Sequence, residues 1–79
     1  MKNKLLEAIE LANGGDWDKA HRIVQDIEHE LAYWIHANLH REEGDVSNSK
    51  YWYKRAGRDY TEMDLGEERE LIKKEIEDN

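Results

Sequence analysis

The sequence predicts an all-α fold in one domain: two helical hairpins followed by a C-terminal helix. Three observations carry that expectation. No proline interrupts the 79 residues, and the abundant Glu, Lys and Leu are good helix formers. No segment alternates Val, Ile or Thr with polar residues as a half-buried strand would. A Gly-Asp pair occurs twice, at Gly15-Asp16 and Gly44-Asp45, each time setting a helix stop directly before a helix start.

The first helix is expected over residues 3–13, with Leu5, Ala8, Ile9 and Ala12 on one face and Asn13-Gly14-Gly15 as its end. Asp16 reads as the N-cap of a second helix, because its carboxylate accepts the free amides of the first turn. Trp17, Ala20, Val24 and Ile27 then share a stripe. Apolar spacing continues through Leu31 and Ile35 with no Gly or Pro between Asp16 and Glu43, which also fits one long helix. A break around Asp26 to Glu30 is preferred, on the repeat pattern given below. A third helix runs to about Glu43 and stops at Gly44. Asp45 caps a fourth through about Asp59, with Val46, Ser49, Tyr53, Ala56 and Tyr60 as its core stripe. Asp64 and Glu67 have capping-box spacing and open a fifth helix to about Asp78. Its apolar stripe, Leu65, Ile72 and Ile76, is narrow, so it should dock lightly or pair with a second copy. The expected units are a hairpin at 3–27, a hairpin at 30–60 and a helix at 64–78.

The Gly-Asp pairs lie 44 − 15 = 29 residues apart. The same shift pairs Ala8 with Ala37, Ala20 with Ser49, Val24 with Tyr53 and Ile27 with Ala56. This order of small residue, Gly-Asp turn, then small, bulky and small positions resembles the tetratricopeptide repeat. The resemblance implies a right-handed α-α superhelix with a surface that receives a peptide or protein partner. The chain departs from that family in its 29-residue spacing, in lacking the usual proline, and in placing His36 and His40 where the repeat packs Leu and Tyr.

Composition excludes several functions. Residues 1–60 carry 9 basic and 11 acidic groups, and residues 61–79 carry 3 and 8, within a net charge of −7. Duplex binding needs a basic face to neutralise phosphates, so nucleic acid is not the expected partner. The local exception is Lys50, Lys54, Arg55 and Arg58, interleaved with Tyr51, Trp52 and Tyr53, which suits an anion or a single strand as well as it suits a solvated face. With no Cys there is no disulfide or thiolate site, and a reducing, cytoplasmic setting fits. Glu7 and Glu10 break the apolar run that a signal peptide would need, and no run of about 20 apolar residues could span a membrane.

At about 100° per residue, His29, Tyr33, His36, His40 and Glu43 fall along one line of the third helix, while Leu31, Ile35 and Leu39 fall on another. His36 and His40, one turn apart, can share a metal, with Glu43 as third ligand or base. The pair lacks the Glu that follows the first His in metalloproteases. The competing reading is a solvated stripe, or histidines hydrogen-bonded to another helix. His21 and Gln25 lie one turn apart on the second helix, which in a hairpin stack packs beside the third. Asn48, Trp52 and Arg55 line the edge of the fourth helix, where Arg55 can meet Glu43 or an anion and Trp52 can supply a flat wall.

The string from Ala20-His21 to Gln25, with His36-Ala37-x-Leu39-His40-Arg41-x-Glu43-Gly44-Asp45, Asn48 and Tyr51-Trp52-Tyr53-x-Arg55-Ala56-Gly57, resembles that of a group of small uncharacterised bacterial and fungal proteins. The first functional expectation is a non-enzymatic interaction module with a protein or peptide partner, or a second copy, and no cofactor. The alternative is a small-ligand or divalent-metal protein, including a hydrolase, built on His36, His40 and Glu43 with His21 nearby.

Overall fold

Both Gly-Asp junctions return the chain onto the helix it has just left. At the first, the Asp16 amide bonds back to the Leu11 carbonyl at 2.8 Å and the Gly15 amide to Ala12 at 3.1 Å. Asp45 and Gly44 repeat this with His40 and Arg41. This double back-bond closes a helix only if the residue between is left-handed, and Gly15 and Gly44 have φ of 88° and 85°. Each Asp then caps the next helix, Asp16 accepting from the Lys19 amide and Asp45 from that of Asn48.

The computed structural model describes all residues from Met1 to Asn79 as five α-helices with no strand: α1 (Lys2–Asn13), α2 (Trp17–Val24), α3 (Glu30–Glu42), α4 (Val46–Arg55) and α5 (Leu65–Asp78). None is long and apolar enough to cross a membrane. The expected break between the second and third helices is present, and His29 starts α3 by accepting the Leu31 amide on Nδ1 at 3.0 Å. The fourth helix is shorter than expected. It stops at Arg55 because the Gly57 and Arg58 amides bond back to Lys54 and Tyr53, with Gly57 at φ 73°. Tyr60 therefore lies in the following loop, and Val46 is 43% exposed rather than in the core.

Helix α3 is the central rod, in contact with all four others, whereas the backbone of α4 lies against α3 alone and reaches α5 through the Tyr53 side chain. Its apolar residues Leu31, Ile35 and Leu39 join Leu5, Ile9, Val24, Ile72 and Ile76 in the core. A second face of α3, Trp34, Asn38 and Arg41, meets α5 through one buried carboxylate. Glu68 is 1% exposed. Its Oε2 accepts from Trp34 Nε1 at 2.9 Å and Tyr53 Oη at 2.6 Å, and its Oε1 from Asn38 Nδ2 at 2.8 Å and Arg41 Nη2 at 2.9 Å. All four lone-pair sites of the carboxylate are used. Next to it, Arg69 donates to Asn38 Oδ1 at 2.9 Å, to the Ala12 carbonyl at 3.4 Å and to Glu42. The expected light docking of α5 is thus replaced by a hydrogen-bonded anchor that ties α5 to α1, α3 and α4.

Burial by itself raises the Glu68 pKa, but the bonds from Tyr53, Asn38, Arg41 and Trp34 outweigh it and hold the group below its ordinary value of 4.5. Below pH 4.5 the unfolded chain takes up this proton and the folded chain does not, so the contribution of Glu68 to stability is lost as pH falls through its folded pKa. Glu68→Gln should cost about 3–5 kcal/mol at pH 7, because it leaves the Arg41 guanidinium without its buried partner. In urea unfolding across pH 3 to 7, the variant should also lack the part of the acid loss that Glu68 contributes. Equal stability and an unchanged pH profile would refute the assignment.

Candidate functional site

The third face of α3 carries His36 and His40, one turn apart and both buried. Two helices bring aromatic rings against them. From α2, His21 reaches both, with ring centroids 4.7 Å from His36 and 5.2 Å from His40, while the His36 and His40 rings lie 4.9 Å apart. Trp17, one turn before His21, stacks on it at 4.7 Å and 10°. Its indole N–H donates to the Leu39 carbonyl at 2.6 Å, which pins the start of α2 to the end of α3. From α4, Trp52 stacks on His36 at 3.9 Å and 11°. Ser49 holds α4 in register by donating to the Ala37 carbonyl at 2.8 Å. Three imidazoles are therefore enclosed between two indoles.

The hydrogen bonding of the three rings is uneven. His40 Nδ1 lies 2.6 Å from Glu43 Oε2. A carboxylate there accepts an N–H, so Nδ1 is the donating nitrogen and Nε2 is the one left for another partner. His36 is 4% exposed, and its Nδ1 is the one buried side-chain polar atom in the protein with no hydrogen-bond partner. Burial first, then the neighbouring His21 and His40, hold the His36 pKa down to about 3. The His21 pKa is also lowered, chiefly by burial and then by His40, against an opposing pull from Glu43 and Asp18. At neutral pH, His21 and His36 are neutral imidazoles with free lone pairs.

One ligating nitrogen from each of His21, His36 and His40 lies within 4.8 Å of the others. At metal–nitrogen bonds of 2.0–2.1 Å, a tetrahedral site needs these atoms about 3.4 Å apart.

The remaining sequence candidates lie outside this triad. Glu43 is on the His40 ring rather than on Arg55. Arg55 instead packs over Tyr33 at 4.6 Å and Trp52 at 5.2 Å and donates to Tyr33 Oη at 3.3 Å. Asn48 bonds the Asp45 carboxylate at 3.3 Å. Gln25 is the exposed C-cap residue of α2. His29, on the histidine line by spacing, is spent as the cap of α3. Trp17 was missed as a site residue, although its position one turn before His21 was visible in the sequence. None of the three depressions in the surface is lined by a histidine of the triad. The one beneath residues 57–63 adjoins Trp34 and Glu68 instead, and the other two lie along Lys4, Arg22 and Ile23. No protein-family profile, curated protein or solved structure matches the chain.

An unpaired buried polar atom costs about 1–3 kcal/mol. His36→Phe keeps a flat ring against Trp52 and removes that atom. In chelator-containing buffer this variant should unfold at equal or higher urea concentration than the parent. A loss of more than about 2 kcal/mol, the size expected when a hydrogen-bonded buried group is broken, would mark His36 as an ordinary structural histidine.

Proposed function

We propose that this protein binds a divalent late first-row transition-metal ion, of the zinc, copper, nickel or cobalt type, through His21, His36 and His40. The observation that carries this reading is the unpartnered Nδ1 of buried His36 within a cluster of three imidazoles. A packed interior tolerates such an atom when something outside the chain completes it. The donor set selects the metal class, since imidazole nitrogen suits Zn, Cu and Ni while Ca²⁺ and Mg²⁺ take oxygen ligands. Glu43 supplies the carboxylate that orients His40. Because His21 comes from α2 and the other two ligands from α3, the ion joins the two helix pairs, which are read here as degenerate tetratricopeptide-like units. The absence of a depression at the triad favours metal holding over hydrolysis of an organic substrate, which would need an enclosed site.

Isothermal titration of the metal-free protein with Zn²⁺ or Ni²⁺ should give one equivalent, and His36→Phe or His40→Ala should abolish it. Glu43→Gln should weaken binding about 10–100-fold, the usual effect of losing a carboxylate behind a ligating histidine. Metal at a hundred times its Kd should add about 2.7 kcal/mol to the unfolding free energy. An unchanged melting temperature in all these metals, with no heat of binding, would defeat the proposal.

The interaction reading is favoured by a different observation. Helix α4 lays its backbone on α3 alone and turns Lys50, Tyr51 and Lys54 outward, with Tyr51 54% exposed. No carboxylate lies between Asp45 and Asp59, and Arg58 alone among the cations of this stretch forms an ion pair, with Glu75. An acidic partner peptide suits this face, whereas the α3–α4 interface itself is filled. Fluorescence anisotropy with a labelled Glu-rich helical peptide should show salt-sensitive binding that is lost in Lys50→Glu/Lys54→Glu. Equal binding by parent and variant would remove this reading.

A further inference from the structure

We infer that the metal centre keeps one coordination position that no protein group fills and takes a small monoanion there, an inference that rests on the metal-binding reading. No protein group near the triad is free to supply a fourth ligand: Asp18, whose charge acts on His21, is exposed and belongs to neither grouping of potential ligand atoms. Glu43 is committed to the Nδ1–H of His40. Asp45 shares a potential metal grouping with His40 and Glu43, but its carboxylate caps α4, with Oδ1 on the Asn48 amide and Oδ2 on the Asn48 side chain. Glu42 is held by Arg69 on the other side of α3. Gln25 is exposed beyond the end of α2 and makes no side-chain hydrogen bond to the triad. The two groups that wall the cluster, Trp17 and Trp52, present ring faces without lone pairs, and the Trp17 N–H is already given to Leu39.

Three neutral nitrogens leave a divalent ion one ligand short of a tetrahedron and with its charge uncompensated. Closed structural sites have four protein ligands, whereas three protein ligands with a solvent-derived fourth is the arrangement of reactive centres. Charge selects an anion for that place, and size restricts it. The triad lies under no depression, so a bulky ligand has no walls to rest on. The Glu43 and Asp18 carboxylates close enough to act on His21 repel polyanions more than monoanions. The ligand class is therefore a small monodentate anion of the halide, azide, formate or hydroxide kind.

Cobalt(II) substitution of the full chain tests the two claims separately, because its visible d–d bands report both binding and coordination. Bands that appear at one equivalent and are missing in His36→Phe support the metal reading. Titration of the cobalt form with sodium azide, and separately with thiocyanate, at ionic strength held constant by perchlorate, should then shift the bands saturably through isosbestic points. Bands that form but ignore both anions would overturn the open position while leaving the metal site standing. If the parent is silent and Glu43→Gln responds, Glu43 is itself the fourth ligand, and the inference fails in that form. If no bands appear in the parent, the metal reading fails and this one with it.

Discussion

The Glu68 carboxylate is the constraint on which the rest of the molecule depends. A charge buried this deeply is tolerated only when every lone pair is met, and the four donors come from α3 and α4 while the acceptor belongs to α5. Trp34, Asn38 and Arg41 occupy successive turns of one side of α3, so satisfying Glu68 fixes the rotation of that helix about its axis. Once that side is committed to α5, and Leu31, Ile35 and Leu39 to the core, His36 and His40 can only face α2 and α4. The histidine cluster is thus a geometric consequence of a polar anchor on the far side of the same helix.

The two polar clusters of α3 differ in a way that separates their roles. Around Glu68, every donor and acceptor is paired, down to Asn38, which uses both its oxygen and its amide. Such a network rigidifies a small domain whose apolar core alone is thin. Around His36 the accounting fails by one atom, although a phenyl ring would fill the same space without leaving any group unpaired. A chain of 79 residues has on the order of 4–12 kcal/mol of stability in total, so one unpaired group is a large fraction. Retaining an imidazole there fits a group that stability does not require and that a ligand would complete.

Much of the fold was legible because it is written locally. The caps at Asp16, Asp45 and Asp64 and the reversals at Gly15 and Gly44 each depend on residues within six positions of one another, and all are found where the spacing puts them. Gly57 carried the same stop signal as Gly44 and explains why α4 ends before Asp59. The anchor was not legible. Glu68 and Arg69 sit in a helix whose charge pattern reads as solvated, and their partners lie 15 to 57 residues away, beyond any periodicity. The site was half legible for the same reason. His36, His40 and Glu43 share one helix, so their spacing showed them together, whereas the joining of His21 depends on how α2 lies on α3. Arg55 was expected to seek the Glu43 carboxylate, but Trp52 stands between α4 and the histidines, and a guanidinium beside three aromatic rings finds its partners there.

The position of the triad within the fold also determines what a bound ion would do to it. Helix α2 is the shortest element, eight residues, with Ala20 and Val24 as its only buried side chains. Beyond these it is held to α3 by the Trp17 hydrogen bond and the stacked rings. Helices α3, α4 and α5 are already locked by Glu68, and α1 by Arg69. An ion shared by His21 on α2 and two histidines on α3 would therefore tighten the joint between the two helix pairs rather than the half locked by Glu68. Metal affinity and the docking of α2 would then be linked quantities, since the three histidines converge only when α2 is seated. The proposed ion would contribute its binding free energy to that one interface, while the anchor around Glu68 holds α3 in place independently of it.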